Sequence, residues 1–303
     1  MLIIKDYKRI VNQKNFNKGL IYTAAGSAWW GIIGVIYFKY ISFIGHIELV
    51  LHRSIWTAVM LFFTTFFFLK WKLFIKVIFD FKKISVLFFS ALLIFINWGV
   101  WIYAISVNQV INASFGYFIM PIISVFLGYF FFKEKINFKR LISILLVVGS
   151  ILYLLIIDFK SIPWVGLAVA FSWSFYNLLR KKISVDTDIG LFIESLFILP
   201  FALIAFYIIF KNNFNDFDIS NPSLMLLIML AGPMTVIPLF LYVKGVEYSG
   251  LGPTGMIFYI TPTFQFILGF FLYKEPFNFQ QLVSFILIWI AVFIYLRDLY
   301  ENN

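Results

Sequence analysis

The chain of 303 residues is 62% hydrophobic and only 13% charged, with a mean hydropathy of +0.96. A soluble domain carries about a quarter charged residues, so this composition excludes a water-soluble core and requires lipid. The net charge of +10 is spread over short loops between apolar runs, which excludes a phosphate-binding face and nucleic acid as a partner; the lack of cysteine excludes disulfides and thiolate sites.

Residues 1–18 are basic and lack an apolar core followed by a small-residue cleavage site, so a cleaved signal peptide is not expected. A helix needs about 20 mostly apolar residues to cross a bilayer. That window predicts spans at 19–38, 47–69, 84–106, 112–132, 139–157, 162–179, 190–210, 223–243, 253–273 and 279–296. The expectation is an all-α membrane protein of ten transmembrane helices. Residues 19–157 form one five-helix unit and 162–296 a second, with 297–303 as a tail.

Basic residues orient the spans. With the N-terminus inside, 19 of them fall in cytoplasmic segments: Lys5, Lys8, Arg9, Lys14 and Lys18, then Lys70, Lys72, Lys76, Lys82 and Lys83, and Lys133, Lys135, Lys139, Arg140, Arg180, Lys181, Lys182, Lys244 and Arg297. Only Lys39, Lys160, Lys211 and Lys274 fall outside, which predicts both termini inside. Arg53 is left within a span.

PIISVFLGYFFFKEKINFKRLIS (121–143) recurs as PTFQFILGFFLYKEPFNFQQLVS (262–284) at a gapless offset of 141. The offset aligns Pro121 with Pro262, Gly128 with Gly269, Lys133–Glu134 with Lys274–Glu275, and Asn137–Phe138 with Asn278–Phe279. Five spans per copy is an odd number, so the second copy is expected upside down. Inverted repeats are a mark of secondary transporters, with the substrate near the midplane between halves. Pro121 and Pro262 fall mid-span and are candidate hinges, because a mid-helix proline removes a backbone hydrogen bond. Pro233 and Pro238 interrupt span eight.

Ionisable residues inside spans are functional candidates. Arg53 and Glu194 stand out, at the same offset of 141, with Ser54 and Ser195 beside them. At about 1.5 Å per residue, Arg53 lies roughly 9 Å below the outer hydrocarbon surface, in the outer half with Asn97 and Tyr117. Glu194 lies roughly 6 Å from the inner surface, near the level of Tyr176, Asn177 and Tyr259. Two polar clusters are expected, one per half. Arg53, Asn97, Tyr117 and Tyr259 are candidates for substrate binding. Glu194, His52, Tyr176 and Asn177 are candidates for coupling or gating. The bland alternatives pair Arg53 with Glu48 on the way to the headgroups, and Glu194 with Lys181 or Lys182.

Other motifs are silent. Gly250-Leu-Gly252-Pro-Thr-Gly255 matches the dinucleotide fingerprint in letters but joins two apolar spans, not a strand and a helix. No P-loop, H-E-x-x-H or G-x-S-x-G is present, and His46 and His52 do not share a helix face well. The sequon at Asn112 lies at a membrane boundary and is expected to stay unmodified. No metal or cofactor is implied.

The stretches HRSIW (52–56), NWGVWIYAISVN (97–108), NASFGYFIMP (112–121), SWSFYNLLRKK (172–182), GLFIES (190–195) and YITPTFQF (259–266) resemble the EamA branch of the drug/metabolite transporters, and within it the RarD proteins. The resemblance runs through nearly all of the chain after residue 19. It implies a ten-helix permease of the bacterial inner membrane, of a kind described as predicted chloramphenicol-sensitivity permeases. Where the family often has Glu-Ala-Ser-Leu-Gly-Tyr, this chain has Asn112-Ala-Ser-Phe-Gly-Tyr117. The expected activity is secondary transport of a small organic metabolite or drug by alternating access, with membrane lipid as the other partner. The alternatives are an uncoupled channel, which needs a continuous polar stripe, and an intramembrane enzyme, for which no nucleophile or metal pattern exists.

Overall fold

Lipid offers the backbone no hydrogen-bond partners, so long apolar runs satisfy their own as helices. The computed structural model describes residues 2–106, 110–158, 164–272 and 279–302, and every regular element among them is a helix. In chain order, α1 (Leu2–Ala28) continues through a π-helical turn (Trp29–Gly34) into α2 (Val35–Tyr40). α3 (His46–Phe67), α4 (Trp71–Ile78), α5 (Phe81–Ser106), α6 (Val110–Phe132) and α7 (Phe138–Asp158) follow. The second half holds α8 (Trp164–Lys182), α9 (Thr187–Lys211), α10 (Pro222–Met229), α11 (Ala231–Ser249), α12 (Leu251–Ile257), α13 (Ile260–Leu272) and α14 (Phe279–Asn302).

Among the described residues, each of the ten sequence windows lies mostly on helix. Two differences stand out: α1 starts far upstream of residue 19, and α4 occupies what reads as a connecting loop, with Lys72 and Lys76 exposed. Six helical stretches among the described residues are long and apolar enough to cross a membrane: Lys14–Tyr40, His46–Phe67, Phe81–Ala104, Thr187–Lys211, Pro222–Ser249 and Leu282–Glu301. Lys160, Lys274–Glu275 and Asn278 lie outside the described residues, as does the side chain of Asn112.

The partition of side chains is inside-out relative to a soluble protein. Phe63, Phe67, Phe130, Phe201 and Phe293 are exposed, whereas Glu48, Arg53, Arg180, Glu194 and Asp298 are buried. Helix ends use backbone devices: α3, α6 and α9 are each followed by a residue of positive φ (Leu69, Lys133 and Asn213), and α10 starts on Pro222, with Asn221 accepting from Leu224 N.

The main packing pairs are α1 with α11, α5 with α8, α6 with α8, α3 with α9, and α7 with α14. Small residues set the closest of these approaches. A Cβ on Gly26 would meet Pro238 O at 2.8 Å, and one on Gly245 would meet Gly19 O at 2.9 Å, so larger residues would push α1 and α11 apart. α3 and α9 run antiparallel. Lys70, just past α3, pairs with Asp188 at the start of α9 (2.6 Å), and Glu48 at the start of α3 accepts from Asp216 N and Phe217 N beyond the end of α9.

The two candidate hinge prolines sit differently. α6 runs unbroken through Pro121, but the second copy breaks at Phe258 and Tyr259, between α12 and α13, just before Pro262. There Thr261 N donates to Phe258 O, the carbonyl that a proline at 262 leaves without its usual donor. Pro238 lies inside α11, and the break in that span falls at Leu230, ahead of Pro233.

Candidate functional site

Arg53 lies in a continuous buried run of α3, Leu49 to Ser54. Its Nε donates to Thr235 Oγ1 on α11 at 2.9 Å, and Cζ stands 4.7 Å from the centre of the Trp98 ring and 5.3 Å from that of Phe38. Aromatic faces attract a guanidinium by about 2 kcal/mol when desolvated, which offsets only part of the cost of burial. Among the described residues, no carboxylate lies within ion-pair distance of it.

The pairing of Arg53 with Glu48 does not form. Glu48 is taken by the backbone at 216 and 217 and by His52, whose Nε2 is 3.5 Å from Oε1. The physical reason is helical spacing: residue 48 shares a face with 52 rather than 53. The His52 ring lies 4.6 Å from both Phe206 and Phe217, away from the Arg53 guanidinium's partners. Asn97 is also turned away: its amide donates to Val169 O and Ser172 Oγ on α8, and its neighbour Trp98 is the residue that covers Arg53. Tyr117 packs against Trp101 and Phe258, and Tyr259 donates to Phe118 O at 2.8 Å. Both Tyr117–Phe258 and Phe118–Tyr259 are pairs related by 141, so α6 and the α12–α13 break meet there residue on equivalent residue.

Glu194 is as buried as Arg53 but fully engaged. Ser90 Oγ donates to Oε1 at 2.5 Å and Tyr176 OH to Oε2 at 3.2 Å. Its cation is neither Lys181 nor Lys182 but Arg180, with Nη1 3.5 Å from Oε1. Lys181 instead donates to Val246 O, and Lys182 lies over the Phe131 ring. Arg180 turns inward because Gly190 leaves room for it: any Cβ there would collide with the guanidinium. Glu194, Ser195, Thr57 and Trp98 help enclose a cavity of about 10 Å³, near the size of one water.

This geometry can be set beside known proteins. The EamA-like transporter family matches twice, over residues 17–156 and again over 160–297. The chain belongs to that family, on its RarD-type branch. It is 34% identical over 281 residues to the uncharacterized transporter YojE of Bacillus subtilis, covering 92% of this chain and 93% of the other. It is 32% identical over 288 residues to Protein RarD of Escherichia coli K12, covering 95% and 97%. A solved crystal structure superposes with a TM-score of 0.66 at 14% identity, covering 91% of this chain and 96% of that one, which bears on the fold alone. Together with its apolar helices, this makes the chain an integral membrane protein and a membrane transporter.

Two features of this EamA transporter escape a reading of the sequence. Arg180 reads as one of three loop cations; the available signal is its spacing from Trp173 and Asn177, which puts all three on one face of α8. The second is the role of Gly250 and Gly252. Glu134, from the repeated Lys-Glu pair, donates nothing but accepts from Leu251 N and Gly252 N, both at 2.8 Å, at the start of α12. A Cβ on Gly250 would stand 2.6 Å from Oε1, and its φ of +94 suits glycine. The glycines that mimic a nucleotide fingerprint therefore cradle a carboxylate of the chain's own.

Proposed function

We propose that this chain is a secondary transporter of a small organic anion, working by alternating access between two inverted five-helix repeats in a bacterial inner membrane, with both termini inside. The observation that carries the reading is Arg53: a buried guanidinium with no counter-ion among the described residues, held in place by Thr235, Trp98 and Phe38. A planar fork of donors suits a carboxylate, and one from a substrate would supply the missing charge. We assign the coupling proton to Glu194, at the equivalent position of the second repeat, because an ionisable side chain inside a span is a functional candidate. Tyr176 and Asn177 tune that half, His52 gates the first, and Pro121 and Pro262 flex their spans.

Three features support the inverted repeat. The family matches each half separately. The packing pairs exchange under the shift: α1 with α11 and α8 with α5 are equivalent, and α3–α9 and α7–α14 map onto themselves. Phe118 and Tyr259, one repeat apart, are bonded to each other. The isolated polar clusters favour a carrier over a channel, which needs a continuous polar lining.

Counterflow in proteoliposomes tests the carrier. Tracer uptake of radiolabelled aromatic and aliphatic carboxylates should be stimulated by the same compound inside; uptake without trans-stimulation indicates a pore. Cysteine labelling at 135 from the cytoplasm and at 276 from outside tests the inversion, and labelling of both from one side rejects it. Glu194→Gln is expected to keep exchange but lose accumulation driven by a pH gradient.

A further inference from the structure

Trp173, Asn177 and Arg180 follow one another along one face of α8. They are 3%, 0% and 2% exposed. Trp173 Nε1, both amide atoms of Asn177, and Nε and Nη1 of Arg180 make no hydrogen bond. Arg180 keeps Glu194 at 3.5 Å from Nη1 and donates from Nη2 to Thr187 O. Buried polar groups in folded proteins are nearly always paired, so the atoms left unmet on this stripe, those of the Asn177 amide above all, call for a ligand. The row offers an indole N–H, an amide N–H₂ and guanidinium N–H groups against a single amide oxygen. That is the complement of a carboxylate with one further donor. At its far end, Trp173 joins an aromatic cluster, 5.1 Å from Trp30, 5.4 Å from Tyr242 and 6.1 Å from Phe258 by ring centres, which suits an apolar or aromatic body.

We propose that Trp173, Asn177 and Arg180 form a second carboxylate subsite, and that Glu194 competes with the substrate for Arg180. The proposal rests on the reading that Glu194 carries the coupling proton. With Glu194 ionised, its carboxylate answers Arg180 from 3.5 Å, and a second anion is repelled. When a proton adds to the carboxylate oxygen, the guanidinium loses its counter-charge and Asn177 is already placed beside it on the same face. The substrate carboxylate then takes over the charge. Proton and anion bind together, so coupling is symport rather than exchange.

The groups around Glu194 leave it as the switching residue. From α8 it faces Tyr176 and Arg180, and from α5 Ser90. From α11, Glu247 is held by Thr187 and Lys244, and on α9 itself Asp188 is held by Lys70. α3 brings Arg53 and His52, which are bonded to or packed against other groups, and the lysines of α4 are exposed.

Benzoate and its neutral analogue benzamide are the probes, titrated calorimetrically into purified protein carrying Arg53→Gln, so that only the second subsite is read. Benzoate stays ionised between about pH 6 and pH 8, well above the ordinary carboxyl range near 4. One linked proton makes its affinity fall by up to about tenfold per pH unit as pH rises. Adding Glu194→Gln should give tight binding that no longer varies with pH. Adding Asn177→Leu should weaken binding about tenfold, and Arg180→Gln should abolish it; if the latter does not fold, Asn177→Leu decides. Absence of benzoate binding, equal binding of benzamide, or an affinity flat with pH while Glu194 is intact overturns the subsite or the competition. The parent reading fails separately, if pH-gradient accumulation in proteoliposomes survives Glu194→Gln.

Discussion

Arg53 and Glu194 stand 141 residues apart, on α3 and α9, which pack antiparallel against each other. Each is bonded to a hydroxyl on the helix that corresponds to the other's partner: Thr235 on α11 for Arg53, Ser90 on α5 for Glu194. There the likeness ends. Glu194 has a cation from its own half within 3.5 Å, whereas Arg53 has only neutral and aromatic neighbours among the described residues. One half of the fold buries a charge that is already answered, and the other buries one that is waiting to be answered. The difference marks one cluster as internally paired at rest and the other as open to an external anion from the start.

Removing Glu194 is the severest way to test this contrast. Glu194→Leu strands Arg180 inside the protein, and breaking a buried ion pair on one side costs about 3–5 kcal/mol. Equilibrium unfolding in detergent should show that loss. The double variant Glu194→Leu with Arg180→Met removes both charges and should recover most of it. If the double variant is no better than the single, Arg180 is not the charge that Glu194 answers.

Arg53 should behave in the opposite manner. Arg53→Met strands no counter-ion, and Thr235 keeps its own bond to Ala231 O, so the unfolding free energy should stay within about 1 kcal/mol of the parent. Carboxylate counterflow should nonetheless fall at least tenfold, or about 1.4 kcal/mol in binding. Arg53→Lys should also fall, because it keeps the charge but loses the planar fork. A stability loss as large as that of Glu194→Leu would mean that Arg53 has an internal partner after all.

How far the sequence foretells this contrast depends on the spacing involved. The helices were legible because lipid leaves long apolar runs no alternative, and the repeat because its offset has no gap. Contacts were legible only where they follow helical geometry. Glu48, five residues from Arg53, offers itself only as the bland alternative partner, and the face it shares is that of His52, four away. Asn97 was read toward Arg53, and a turn of about 100° per residue hands that contact to Trp98 instead. Arg180 was hidden by its neighbours Lys181 and Lys182, since three adjacent cations read as a topology signal. Only Gly190, whose meaning depends on a tertiary approach, marks the space that lets Arg180 turn in.

A smaller effect probes where the halves have stayed alike. Glu134 accepts from two backbone N–H groups at the start of α12, with its carboxylate seated against Gly250 and Gly252. A carboxylate at a helix start is favoured by both hydrogen bonding and the helix dipole. Glu134→Gln keeps the shape, but the amide can present only one oxygen, so one acceptor and the charge are lost together. The expected cost is about 1 kcal/mol in detergent unfolding, with counterflow still measurable. The Lys-Glu pair survives at the repeat offset as Lys274–Glu275, although the clusters have diverged from arginine to glutamate. If the pair persists because each half needs the same cap, Glu275→Gln should cost the same as Glu134→Gln. Unequal costs would mean that the two halves differ at their loops as they do at their charges, and that the cap belongs to one side of the transport cycle.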